Sequence, residues 1–176
     1  MKQPLFRSQR ALRTVIATAV IIIANATAAW AQSTFSGGDG SSGNPFQITS
    51  VADLQQLATN VNNGTKYEGT YFKLMNDIDL TSYINQFSPS EGWQSIGRDG
   101  SETIYFDGNN HKVTGLGCNS TRDNTGLFSC FANGYIKNLT VETDNSKQVK
   151  GGANTGIMIG KMINGTIENC RVAGSL

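Results

Sequence analysis

The residues in this chain best suited to chemistry are three aspartates. Asp77 and Asp79 are two positions apart in an alternating stretch, so a β-strand would set them on one face about 6.5–7 Å apart. Asp107 belongs to a second stretch that would lie one coil away in a stacked fold. Glycoside hydrolases use paired carboxylates separated by about 5–9.5 Å. The same hard oxygens make Asp77 and Asp79 a candidate Ca²⁺ site. A lyase would also need a base, for which Arg98 and Lys112 are the nearby candidates. Against catalysis, outward aspartates keep a wet strand face soluble, and Asp107-Gly108-Asn109 is ordinary turn chemistry. The expectation is therefore no catalytic residue, no metal and no cofactor. Asp77, Asp79 and Asp107 are retained as the alternative.

Other reactive side chains are few. His111 is the single histidine, which leaves zinc without its usual ligand set, and its place after a turn points to a turn hydrogen bond or to solvent. Tyr67, Tyr71, Phe72 and Trp93 could form a sugar-binding platform, although packing in the core and cap explains them as well. Three cysteines, Cys118, Cys130 and Cys170, show no C-x-x-C spacing, and in an oxidising compartment a Cys118–Cys130 bridge stays open.

Composition narrows the function classes. Only 15% of the 176 residues are charged and 20 are glycine, yet 38% hydrophobic content is enough for a core. Lys2, Arg7, Arg10 and Arg13 precede an apolar run from Val15 to Ala24, and Ala29-Trp30-Ala31 supplies a small-residue cleavage site. This is the pattern of a secretory signal peptide over residues 1–31, and the apolar run is too short to span a bilayer comfortably. Cleavage removes four of the 14 basic residues and none of the 13 acidic ones, leaving a net charge of −3. The exported chain then has no membrane span and no basic surface to neutralise nucleic-acid phosphates. Its expected location is extracellular, on the cell surface or periplasmic.

The elements that must position these side chains begin after a leader over residues 32–45, rich in Gly, Ser and Asn and read as flexible. Phe46-Gln47-Ile48 is a short strand. Ser50 is an N-cap with Asp53 at N3, and Val51, Leu54, Leu57, Ala58 and Val61 follow at helical spacing up to a Gly64 stop. This is the one helix expected. From Tyr71 to Leu80 the period becomes two, with 72, 74, 78 and 80 apolar, which predicts one strand with a wet face carrying Asp77 and Asp79.

The sequence then repeats. Asn124-Thr125-Gly126-Leu127-Phe128 recurs as Asn154-Thr155-Gly156-Ile157-Met158. The string from Gly134 to Val141 recurs from Gly165 to Val172, and Val113 to Cys118 reads as a fainter earlier copy. Aligning Val113, Ile136 and Ile167 gives steps of 23 and 31 residues, the length of one solenoid turn with variable loops. Within a copy, apolar residues fall at i, i+3 and i+5: Ile136, Leu139, Val141, then Ile167, Cys170, Val172. The odd step crosses Asn138, Asn169 or Gly115, residue types that accept positive φ at a bend. Stacked coils about 4.8 Å apart would make ladders of these residues. In that alignment Cys118 shares a column with Val141 and Val172, and Cys170 with Leu139 and Leu116. The two thiols then lie too far apart to bridge. The predicted class is all-β, a right-handed parallel β-helix over residues 46–176 with one N-terminal capping α-helix.

These strings resemble the GLUG motif of bacterial secreted and surface proteins, named for a Gly-Leu-x-Gly start followed by Ile-x-Asn-(Leu/Cys)-x-Val. The matches are Gly126-Leu127-Phe128-Ser129, with Ser129 in place of the second Gly, and Gly156-Ile157-Met158-Ile159-Gly160, one residue longer. They define GLUG-like repeats over about 124–145 and 154–176. Asp77-Ile78-Asp79-Leu80, Trp93-Gln94-Ser95-Ile96-Gly97 and the stretch from Phe106 to His111 resemble the segments that lead into such repeats. The resemblance implies an adhesin-like surface module that binds host or matrix glycan or protein. Some immunoglobulin A-cleaving metallopeptidases carry the repeat, but their His-Glu-x-x-His zinc motif has no counterpart in a chain with one histidine. The alternative is a carbohydrate-active β-helix enzyme, a polysaccharide lyase or glycoside hydrolase.

A β-helix exposes unpaired strands at both ends unless capped. The helix from Val51 to Val61 can cover the first coil. Nothing similar follows Val172, so the expectation is either self-association at the uncapped C-terminal coil or a chain truncated from a longer solenoid.

Overall fold

The computed structural model describes residues 35–88, 90–97, 102–144 and 146–176. The expected signal peptide and Arg98 lie outside them. The described chain winds into a parallel β-helix of about three turns with three walls. The first wall is a five-stranded parallel sheet of β1 (Phe46–Ile48), β2 (Tyr71–Leu74), β4 (Ile104–Asp107), β8 (Gly134–Lys137) and β12 (Thr166–Glu168). The second stacks β3 (Ile78–Asp79), β5 (Lys112–Leu116), β9 (Thr140–Thr143) and β13 (Arg171–Ala173), also parallel. The third pairs β7 (Phe128–Ala132) with β11 (Ile159–Ile163), and a parallel bridge joins Ile96 to Phe128 below them. Short strands β6 (Cys118–Asn119) and β10 (Val149–Lys150) pair in the loop between the second and third walls.

Stacking puts like residues over like. Phe46, Phe72, Phe106, Ile136 and Ile167 form one column, and Ile78, Val113, Val141 and Val172 another. Phe72, Phe106, Ile136, Ile78, Val113 and Val141 are at most 2% exposed. Each such side chain contributes about 1.5–3 kcal/mol by burial. Leu139 is buried at the bend after Ile136, and Cys170 packs against the core one coil above.

This register corrects the alignment of the faint first copy. Ile136 lies over Phe106, not Val113, and Val113 lies under Val141. The step is therefore 30 residues from Phe106 to Ile136, close to the 31 that follow. The cause is a longer corner in the second coil, where Gly108-Asn109-Asn110-His111 stands opposite Asn138-Leu139. Gly108 is needed there, because a Cβ would stand 2.5 Å from the Asn138 carbonyl oxygen. Cys118 pairs with Val149 rather than sharing the Val141 column. Gly115, at φ 69°, is not a corner but lies inside β5, where the ladder with β9 slips. A side chain there would strike Thr81 and Asp79.

Corners are asparagine positions. All eight non-glycine residues with positive φ among the described residues are Asn, including Asn138 (53°) and Asn169 (49°). Its short amide can hydrogen-bond locally in that conformation. The amides also stack: Asn169 Nδ2 donates to Asn138 Oδ1 (2.8 Å), Asn138 Nδ2 to Asp107 Oδ1 (3.0 Å), and Asn154 Nδ2 to Asn124 Oδ1 (2.9 Å).

Three further expectations change. Tyr71 to Leu80 is not one strand, because the chain turns a corner at 75–77 between β2 and β3. That corner keeps the spacing even, so the apolar period survives the bend. A second helix exists beside α1 (Val51–Asn62), namely α2 (Thr81–Phe87), which buries only Ile84 fully and so leaves little periodic signal. The leader is not loose from Phe35 onward. Phe35 is 8% exposed and packs on Phe46 and Phe72, while Gln47 N donates to Gly37 O at 2.8 Å.

Helix α1 is set by its cap. Asp53 N donates to Ser50 Oγ (3.3 Å), and the buried Asp53 Oδ2 accepts from Thr49 N, Thr49 Oγ1, Ser50 Oγ and Ser36 Oγ at 2.7–3.1 Å. At the other end Gly64 N donates to Val61 O and Thr65 N to Asn60 O, a Schellman closure with Gly64 at φ 94°. Leu54, Leu57, Ala58 and Val61 face the core.

Candidate functional site

The three aspartates do not converge. Asp79 is on the second wall, opposite Thr114, and Asp107 is on the first, opposite Lys73 and Lys137. Asp77 occupies the corner between the walls. Each is engaged in shaping its own bend. Asp77 Oδ1 accepts from Lys112 N (3.1 Å) and meets His111 Nδ1 (3.0 Å). Asp79 Oδ1 accepts from Thr81 N at the start of α2 (2.9 Å). Asp107 Oδ1 accepts from Asn109 N and Asn138 Nδ2, and Lys137 Nζ lies 3.7 Å from Oδ2.

Their acidities follow. The Lys112 amide, aided by His111, lowers the Asp77 carboxyl. The Thr81 hydroxyl and amide lower Asp79. Burial tends to raise Asp107, but bonds from Asn138 and Asn109 and the Lys137 charge outweigh it and the net shift is downward. A carboxyl held below its ordinary value is a poor proton donor at neutral pH and a weak base. No group of three His, Cys, Asp or Glu side chains suited to a metal occurs among the described residues.

The outer face of the first wall carries two ordered columns. Tyr71, Tyr105 and Tyr135 lie in register, followed by Thr166, beside Lys73, Asp107, Lys137 and Glu168 with alternating charge. Tyr71 and Tyr105 stack at 4.7 Å and 18°, and Lys137 Nζ sits 4.7 Å from the Tyr135 ring centre. Tyr105 covers one face of Tyr71 and meets Tyr135 edge-on, and Lys137 lies over Tyr135, so the column is knit together by its own ring and cation contacts. Of the other aromatics in the platform expectation, Phe72 and Trp93 are buried and Tyr67 packs edge-on to Phe72 at 5.1 Å.

A wide cleft lies elsewhere, beside the third wall, with a volume of about 870 Å³. One side is α2 and the chain that follows it, with Tyr83, Phe87, Glu91 and Gln94. The other is the 119–125 loop, with Asn119, Arg122 and Asp123 among its residues. Phe87 is 66% exposed at the rim. It leans on Tyr83 (5.5 Å), which leans on the buried Trp93 (6.1 Å), a chain of rings from core to cleft.

Both sides are held from below. Trp93 Nε1 donates to Leu127 O (3.1 Å) and Ser95 Oγ to Gly126 O (2.6 Å). Asn62, at the end of α1, accepts from Gly97 N and donates to Ser95 O. Arg122 N donates to Ser120 Oγ and Thr125 Oγ1 to Arg122 O, while the next coil donates Gly152 N to Arg122 O and Ala153 N to Asp123 Oδ1. Asn119 Nδ2 reaches Ser90 O and joins the two sides at one end. Anchoring of this kind preorganises a site. Sequence reasoning missed the cleft, and its one legible signal is Phe87, an aromatic inside an amide- and hydroxyl-rich stretch.

Among the cysteines, Cys118 is a free thiol, so it forms no bridge to Cys130. Burial pushes it up to about 12, which leaves it inert at neutral pH. Cys170 is also a thiol, again raised by burial.

No family model matches the chain. It is 35% identical over 115 residues to a "Putative Gly-rich membrane protein" of Evansella cellulosilytica, covering 64% of this chain and 12% of that protein. It is 28% identical over 146 residues to halomucin of Haloquadratum walsbyi, covering 79% of this chain and 2% of that protein. The chain thus spans a small part of the curated relatives it matches. Among solved structures it is similar to a "putative immunoglobulin A1 protease" from Bacteroides ovatus, with a TM-score of 0.57 and 23% identity over 80% of this chain and 40% of that one. That likeness establishes the shared fold. No helix among the described residues is long and apolar enough to cross a membrane.

Proposed function

We propose that this chain is a non-enzymatic, exported surface module whose wet β-helix faces bind glycan or protein. One observation carries the reading. The aspartates that could have done chemistry are divided between two walls and the corner joining them and are tied into bends, whereas the cleft beside the third wall offers anchored amides, hydroxyls and an exposed ring. The signal-peptide pattern supports export, and the names of the two relatives fit a surface protein. Self-association is part of the proposal, because Ile163, Ile167, Val172 and Leu176 are 39–61% exposed on the last coil.

The test is a combined screen of the purified exported chain for glycan and matrix-protein binding and for polysaccharide breakdown. Binding with no new reducing ends or unsaturated uronates is the expected result. Turnover would overturn it in favour of a lyase or hydrolase.

A further inference from the structure

We infer that the cleft between α2 and the 119–125 loop is a binding site for a neutral oligosaccharide, with Phe87 as the stacking ring. This rests on the binding-module reading and names the ligand class and the place. A pyranose ring has an apolar C–H face and a rim of hydroxyls that donate and accept together. Recognising it takes an exposed aromatic face next to planar amides, carboxylates or guanidinium groups. The cleft juxtaposes these: Phe87 and Tyr83 on one side, Gln94 beside them, and Asn119, Arg122 and Asp123 opposite. Phe87 is the one large hydrophobic residue exposed in this part of the described structure, and the Tyr83–Trp93 contact fixes it from behind.

Three features select the class. The volume of about 870 Å³ is near the upper end for small-ligand sites, which favours several sugar units over one. A helical peptide would need a continuous apolar strip, and a single ring does not supply one. Glu91 and Asp123 against Arg122 make the lining net negative, so a polyuronate is repelled while a neutral chain is not.

The experiment uses calorimetry and ¹⁵N–¹H amide-shift mapping on the exported chain with cello-, manno-, malto-, xylo- and laminarihexaose, and with hexagalacturonate. The expected result is binding of at least one neutral hexaose, with shifts at Gln94, Asn119 and Arg122, and at least tenfold weaker binding of hexagalacturonate. Phe87→Ala should lower affinity about tenfold with an unchanged melting temperature. Gln94→Ala, at another exposed position, should lower it severalfold. Absence of neutral-hexaose binding, shifts confined to the Tyr71–Tyr105–Tyr135 face, or wild-type affinity in Phe87→Ala would each overturn the inference. Binding of another ligand elsewhere on the surface leaves the module reading standing, whereas breakdown of any hexaose overturns that reading itself.

Discussion

The two ends of the coil stack are built differently. At the first end, Phe35 closes on Phe46 and Phe72, the leader bonds along β1 through Gly37, and α1 lays four apolar side chains on the core. At the other end, β11, β12 and β13 are edge strands, and Ile167 and Val172 are about half exposed in columns that are fully buried one coil below. The same side chains in the same register therefore differ in energetic value according to what lies over them. Sequence similarity between repeats says little about which copy stabilises the fold.

The largest effect should come from the buried side of this contrast. Phe106→Ala leaves a cavity in the middle of its column and should cost about 3–5 kcal/mol in urea unfolding. Ile167→Ala, two coils higher in that column, should cost under about 1 kcal/mol at protein concentrations too low for association, and near-equal losses there would mean the open coil is packed even in the monomer. Next, Asp53→Ala removes the acceptor for four donors at the sealed end and should cost about 2 kcal/mol.

Asp53 also predicts a pH dependence. Burial tends to raise its carboxyl, yet bonds from Thr49, Ser36 and Ser50 outweigh that and hold it below 3.8. A group depressed in the folded state contributes stability above its unfolded value and loses it as pH falls through the folded one. Wild-type stability should thus drop below about pH 4. Asp53→Asn should show a shallower acid limb, and an unchanged limb would remove Asp53 as its source.

Corners give a smaller contrast. Asn138→Ala forces alanine to φ near 53° and breaks two ladder bonds, for about 1–2 kcal/mol. Asn138→Gly should recover most of the strain, and Asn169→Ala should cost less because the open coil can relax. The smallest stability effect should accompany the clearest change in mass. Light scattering should find self-associated wild type and a monomeric Ile167→Lys/Val172→Lys double variant of similar melting temperature. A monomeric wild type would refute association at the open coil.

Much of the architecture was legible because a β-helix writes itself locally. The recurring strings from Gly134 and Gly165 announce coils, and Ser50 with Asp53 announces α1. Legibility failed where loop length intervened. Val113 and Ile136 both start an apolar i, i+3 pattern and so align by sequence alone, and only a corner two residues longer returns Val113 to Val141. The bend at 75–77 preserved an even count and hid itself. The cleft had almost no sequence signature, since its two sides are some 30 residues apart and consist of common polar types.

The sequence by itself determined that the chain coils and where asparagines could turn it. These depend on residue type and short spacing, which act over a few bonds. Tertiary structure alone decided which residues share a column, which aspartates are separated by a bend, and which aromatic ring stays outside. Each of those depends on the summed length of intervening loops and on what lies one coil above or below, and no local preference encodes either.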